Sequence, residues 1–281
     1  GEVPEGADAV VYSCAEALAQ APQIALVTGP ATVHVATARS LADQGVHLYV
    51  EKPLSHSLEG IDELLSVCRR QGVHLMVGYN YRYNPSLRAA REVVQAGRIG
   101  HVLGIRAEVG QYLPEWRPGS NYRDGVSARA VLGGGVVLEL SHEFDYTRWL
   151  VGEVASVSAR VGTVSNLELE VEDIAEVALQ FRDGAIGNIH LDMVQRAPVR
   201  TCRVIGSEGT VVWDGLADQA SCYEAASGAW SNIDFIAGER NDMYRTALEC
   251  FLECVEVDAA PEITGEDGRC ALEIALAVKE S

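Results

Sequence analysis

Between residues 23 and 80 the apolar positions come in short continuous runs, QIALVTG (23–29), VHLYVEK (46–52) and VHLMVGYN (73–80). Runs this short, without alternation and ending in small or polar residues, are the pattern of parallel strands buried on both faces. The segments between them change period. TVHVATARSLADQG (32–45) and SLEGIDELLSVCRRQG (57–72) read as helices closed by Gly45 and Gly72, the second with Ile61, Leu64, Leu65 and Cys68 on one face. SCAEALAQ (13–20) predicts a further short helix capped by Ser13. Strand and helix alternating at this spacing predict right-handed crossovers and a parallel sheet.

After Pro85 the pattern turns over. SLRAAREVVQAGRIG (86–100) is helical and leads into an alternating strand, HVLGIRAEVGQYL (101–113). EVASVSARVGTV (153–164) follows, then IAEVALQFRDGAIGNIHLDMV (174–194) and RTCRVIGSEGTVVWDG (200–215), which predict hairpins turning at Asp183-Gly184 and near Glu208-Gly209. Two helices, 243–257 and 266–281, close the chain. The expected fold is a partial Rossmann-type α/β unit over residues 1–84. An α+β unit with an open, mostly antiparallel sheet follows over 85–281.

Composition narrows the function. The 281 residues carry a net charge of −18, which repels nucleic acid and anionic membrane and leaves a small molecule as the expected partner. No apolar run reaches the roughly 18 residues of a membrane span. GEVPEGADAV has neither the basic start nor the apolar centre of a signal peptide. The seven cysteines include no C-x-x-C and no histidine at zinc-like spacing, so reduced thiols, a cytosolic protein and no metal are expected.

Candidate chemistry begins at HLYVEKPLSH (47–56), where a buried strand runs into Glu51, Lys52 and Pro53. Ligands in open α/β sheets bind at the carboxyl ends of the strands, so a lysine presented there is either a chemical tool or a solvated strand end. A dinucleotide-binding half-sheet opens with G-x-G-x-x-G, and no such segment precedes residue 23; Gly133-Gly134-Gly135 lacks the spacing. In the order 3-2-1-4-5-6, taking QIALV as strand three and HLYV as strand four leaves two central strands absent between them. That absence points to a chain that is the remainder of a longer protein, with a rearranged or partner-completed sheet as the alternative.

VTGPATVH (27–34), YVEKP (49–53), GYNYRYNP (78–85) and GGGVVLELSHEFDYTRWL (133–150), in that order, resemble the Gfo/Idh/MocA oxidoreductases. The resemblance spans essentially the whole chain, apart from the family's N-terminal nucleotide-binding unit. It implies an NAD- or NADP-dependent dehydrogenase or reductase acting on a secondary alcohol of a sugar-like molecule, and a homo-oligomer, dimer or tetramer, joined through the open sheet. Lys52 would stabilise the alkoxide and His142 would accept the hydroxyl proton. Glu139 and Asp145, three residues to either side of His142, share its face if the segment is one helix and would orient it. Glu139, three residues before the histidine, departs from the family's aspartate at four. Thr28, Pro30, His34, Glu51, Lys52, Pro53 and Asn80 would line the cofactor. Arg82 is a substrate anchor or a structural ion pair. Tyr112, Trp116, Arg117, Tyr122 and Arg123 form an aromatic, basic loop suited to a sugar ring or an anionic group, or else a rigid loop packed on its own domain. The rival readings are an NAD-dependent glycosidase of the same fold, a non-catalytic subunit lacking the phosphate loop, and an NAD(P)-sensing binding protein.

Overall fold

The computed structural model describes residues 6–281; the first five residues of the opening stretch lie outside it. Its first unit carries α1 (Cys14–Leu18), β1 (Ile24–Val27), α2 (His34–Ala42), β2 (His47–Val50), α3 (Ile61–Gln71) and β3 (Leu75–Val77). Ser13 caps α1 by accepting from the Glu16 amide. The α3 helix starts four residues later than its apolar pattern suggests. Gly60 sits in the left-handed region at φ +75° and sets the helix going from Ile61.

The three strands pair in parallel in the order β1-β2-β3, with Ile24 opposite His47 and Leu48 opposite Leu75. This corrects the expected gap. β1 and β2 are direct neighbours because the α2 crossover between them is short and packs on both strands. The run is three consecutive strands in adjacent places, not strand three followed by strand four across a gap. The other edge of β1 has no partner among the described residues, and Leu26 on it is half exposed.

The second unit opens with α4 (Pro85–Gln95), where Pro85 stands at the first helical position and the Asn84 side chain accepts from the Leu87 amide. β4 (Val102–Gly110), α5 (Val136–Glu139), α6 (His142–Val151), β5 (Val154–Gly162), β6 (Ile174–Phe181) and β7 (Ile186–Asp192) follow, then β8 (Val199–Gly206) and β9 (Gly209–Asp214). The weakly apolar β10 (Gln219–Glu224) and the exposed β11 (Ala229–Asn232) complete a sheet of order β11-β10-β9-β8-β4-β7-β6-β5. All its pairs are antiparallel except β4 with β7. One face is covered by α4, α6 and α8 (Gly265–Glu280), while the other alternates polar residues outward.

The closing helices return to the first sheet. α7 (Asp242–Glu256) puts Phe251 edge-on to Tyr49 at 5.8 Å, and α8 lies on β3. That approach needs a residue without Cβ at Gly268, where one would stand 2.6 Å from Val77 Cγ2. Gly268→Ala is expected to lose about 1–3 kcal/mol through overpacking, read as a lowered denaturant midpoint with unchanged slope.

On the polar face, the His190 ring lies 3.0 Å from Asp192 Oδ2 and 2.7 Å from Glu176 Oε1. The bond to Asp192 works with Glu176 against burial and raises the imidazole to about 9. Its stabilisation is fully present below the unfolded value near 6.5 and is lost as pH rises through about 9. A Tm measured from neutral to alkaline pH should therefore fall more steeply in the parent than in His190→Gln. Parallel curves would show that the pair contributes nothing.

Candidate active site

At the carboxyl end of β2 the Glu51 amide still donates to Val27 O at 2.9 Å, and the Gly78 amide donates to Val50 O at 2.8 Å. The chain is thus pinned on both sides where it leaves the sheet, and a cis Lys52–Pro53 peptide follows. His34, 1% exposed, fills the space behind it, with Nδ1 3.0 Å from Pro53 O and Nε2 2.7 Å from Gly29 O. Each ring nitrogen of His34 thus faces a main-chain oxygen, and the nitrogen that carries the proton donates to its own. His34 braces the turn after β1 against the Glu51-Lys52-Pro53 turn, where a cofactor contact was expected. Thr28 is exposed and Pro30 half-buried on that same turn.

Lys52 reaches into the second unit, its Nζ donating to Glu139 O at 2.7 Å. The Glu139 carboxylate is turned the other way, accepting from Ser127 Oγ at 2.7 Å. Its helix α5 ends there, and α6 begins at His142 after Leu140 and Ser141. Glu139, His142 and Asp145 therefore do not share one helical face. Asp145 is spent on Arg82, which donates to it through Nε at 2.9 Å and a terminal nitrogen at 2.6 Å. Neither carboxylate orients the imidazole, and His142 Nδ1 is buried without a hydrogen-bond partner.

Aromatic rings hold His142 instead. Tyr79 and Tyr81 stand edge-on to it at 5.6 and 4.9 Å. Burial first, then the positive charges of Lys52 and Arg200, keep the imidazole well below its ordinary value, so it stays unprotonated and able to take a proton at neutral pH. Glu51, beside Lys52, has its carboxyl raised by burial, against the opposing charge of Lys52. Asn80, in the turn after β3, is 1% exposed, and both of its amide atoms lack partners.

The predicted site residues divide. Lys52 stands close enough to His142 for its charge to act on the imidazole, and Asn80 lies between Tyr79 and Tyr81, whose rings meet His142 edge-on. Arg82 is 3% exposed, with Nε and one terminal nitrogen bound to Asp145 and Asp267 in a buried ion-pair network. Arg123 is also committed, to Glu168 at 2.8 Å, and Tyr112 lies under the Arg196 guanidinium at 3.5 Å. Trp116, Arg117 and Tyr122 do line a common cavity of about 310 Å³, together with Asn121, Asp124 and Ser127. That is the size of a small ligand's pocket. Through Ser127 and Glu139 it connects by hydrogen bonds to Lys52.

Sequence reasoning missed Tyr79, Tyr81, Glu143 and Arg200. The first three stand inside segments already singled out. Arg200 opens an ordinary-looking hairpin and carries no local signal.

The residues fit a nicotinamide cofactor at the strand ends. Asn80 offers a buried amide with donor and acceptor both free, the turn after β1 is open, and the Lys52 charge acts on His142. Residues 2–79 match the model of the oxidoreductase family with an NAD-binding Rossmann fold, and residues 87–212 match the GFO/IDH/MocA C-terminal domain. Myo-inositol 2-dehydrogenase of Thermotoga maritima is 28% identical over 268 residues, which cover 91% of this chain and 76% of that protein. The fold is that of levoglucosan dehydrogenase in complex with NADH and levoglucosan, at TM-score 0.84 and 21% identity, covering 92% of this chain and 77% of that one. The WlbA dehydrogenase of Bordetella pertussis, in complex with NADH and UDP-GlcNAcA, is 26% identical at TM-score 0.79, covering 96% of this chain and 79% of that one.

Fold and site together define an oxidoreductase of the NAD-binding, two-sheet class. The chain belongs to the Gfo/Idh/MocA family. Among the described residues no helix is long and apolar enough to cross a membrane.

Proposed function

We propose that the protein interconverts a secondary alcohol and a ketone on a polyol or sugar-like substrate, with NAD or NADP as the redox partner. One observation carries this reading: the strand-end Lys52 and the unprotonated, partner-free His142 meet at the carboxyl edge of the parallel sheet. The relatives act on compounds of this kind by their names, an inositol and an anhydrosugar among them.

A bound nicotinamide supplies hydride exchange with the carbinol carbon. The chain's own residues do the rest. Asn80, Thr28 and Pro30 hold and orient the cofactor edge, and Glu51 and Pro53 shape the turn that presents Lys52. Lys52 Nζ places a positive charge beside the oxygen that becomes an alkoxide. His142 takes that oxygen's proton in oxidation and returns it in reduction. Trp116, Arg117 and Tyr122 stack on and hydrogen-bond the part of the substrate away from the reacting carbon. Residues 1–84 serve the cofactor and 85–281 the substrate, with assembly through the polar face of the larger sheet.

The reading is tested by titrating NADH into the full chain while following nicotinamide fluorescence, then assaying net cofactor reduction on a panel of polyols and sugars. Saturable binding with net reduction on at least one polyol is expected. Glycoside cleavage without net cofactor change would move the protein to the glycosidase reading, and tight binding without turnover on the whole panel to a sensing role.

A further inference from the structure

We infer that Arg200 of β8 and Glu143 of α6 form a buried clamp that fixes the Tyr81 ring against His142, which makes Arg200 a positioning residue for the proton acceptor. The inference rests on the reading of His142 given above.

The clamp has three contacts. Arg200 Nε stands 3.0 Å from Glu143 Oε1 as an ion pair without hydrogen-bond geometry, with side-chain exposures of 13% and 0%. A terminal nitrogen of Arg200 donates to the Tyr81 hydroxyl. The guanidinium carbon lies 4.4 Å from the Tyr81 ring centre. Tyr81 is thereby held at its hydroxyl and on its face, while Trp213 at 5.8 Å and His142 at 4.9 Å meet it edge-on. Tyr81 comes from the first sheet's β3 turn, Arg200 from the second sheet and Glu143 from the helix that begins at His142. The cluster therefore ties the turn after β3 and the strand β8 to the helix that carries His142.

A buried ion pair recovers little more than its desolvation cost, and an apolar pair would pack as well. What the charged pair supplies here is a directed grip on one phenol and a positive charge beside one imidazole. The charged groups acting on His142 are Lys52 from the end of β2 and Arg200 from β8, while Glu143, next to it on its own helix, pairs with Arg200. The Glu139 carboxylate is turned to Ser127, Asp145 is neutralised by Arg82, and the remaining neighbours are the phenols of Tyr79 and Tyr81. Behind burial, the two cations are what lower the imidazole.

The deciding experiment is an NMR measurement of His142 in the full, histidine-labelled chain without cofactor, the signal being assigned through His142→Gln. The variant is Arg200→Met with Glu143→Gln, which leaves no buried charge unpaired. Its His142 ring-current shifts are expected to move, because no guanidinium holds the Tyr81 ring against the imidazole, and Tyr81→Phe is expected to move the same shifts. A folded double variant with the parent's His142 ring-current shifts overturns the clamp. Should the double variant not fold, parent-like His142 shifts in Tyr81→Phe overturn it instead. Undiminished turnover in His142→Gln would remove the proton-acceptor role, leaving the imidazole's response to Arg200 to be read by itself.

Discussion

Lys52→Ala is expected to lower kcat by about 10²–10³-fold while the far-ultraviolet spectrum and unfolding midpoint stay near the parent's. The size follows from what the side chain contributes. Its Nζ already has one fixed partner, Glu139 O at 2.7 Å, so the ammonium is aimed before substrate arrives. A preorganised cation stabilises a developing alkoxide without the reorganisation that water would require. The stability cost is small because the lysine is only half-buried and the main chain around it is held independently by the Glu51 and Gly78 amides and by His34. Assays of net cofactor reduction across pH on the best polyol of the panel are the measurement. Turnover within a few-fold of the parent would end the assignment of Lys52, and with it the proposed reaction.

Asp145→Ala is expected to destabilise the protein by about 3–5 kcal/mol, with or without cofactor and substrate. Arg82 is 3% exposed, and losing Asp145 removes its bidentate partner while Asp267 keeps only a 3.3 Å contact. Asp267 has further duties. It closes the capping box of α8 with Thr264 and accepts from Arg148 at 2.7 Å. Burial opposes its ionisation, but Arg82, Arg148 and the Thr264 bonds outweigh that and hold the carboxyl at about 2. This part of the network is therefore present above the ordinary aspartate value and is lost only as pH falls through about 2. Chemical denaturation of Asp145→Ala beside the double variant Asp145→Ala with Arg82→Met separates the terms. The single change should be the worse of the two, because it strands a buried guanidinium. A loss below about 1 kcal/mol in the single variant would return Arg82 to the list of substrate anchors, since the median for exposed pairs is no larger.

The strands of the parallel sheet, the hairpins at Asp183-Gly184 and Glu208-Gly209 and the closing helices are legible as patterns of local period and turn residues. Strand order was less so. Which strand neighbours which depends on where a crossover lands, and α2 landed β2 directly beside β1. β10 and β11 were missed because QASCYE and AWSN carry little apolar alternation; they pair as additions to an existing sheet edge.

In the site the division runs along the same line. EKP at a strand end and a histidine in an apolar helix are readable locally, because strand ends and helix faces are properties of a few consecutive residues. The partners of those groups are not. Glu139 and Asp145 share His142's spacing, but the break at Leu140 and Ser141 turns one to Ser127, and Arg82 takes the other. His34 became a brace only when Pro53 O and Gly29 O came to either side of its ring. Arg200 lies 119 positions along the chain from the Tyr81 it grips, and no pattern of neighbours announces that contact. The sequence by itself determined the elements and the reactive groups they carry, since both follow from short-range sterics and periodicity. Tertiary structure alone decided which charge meets which ring, because those contacts exist only after distant elements pack and exclude water.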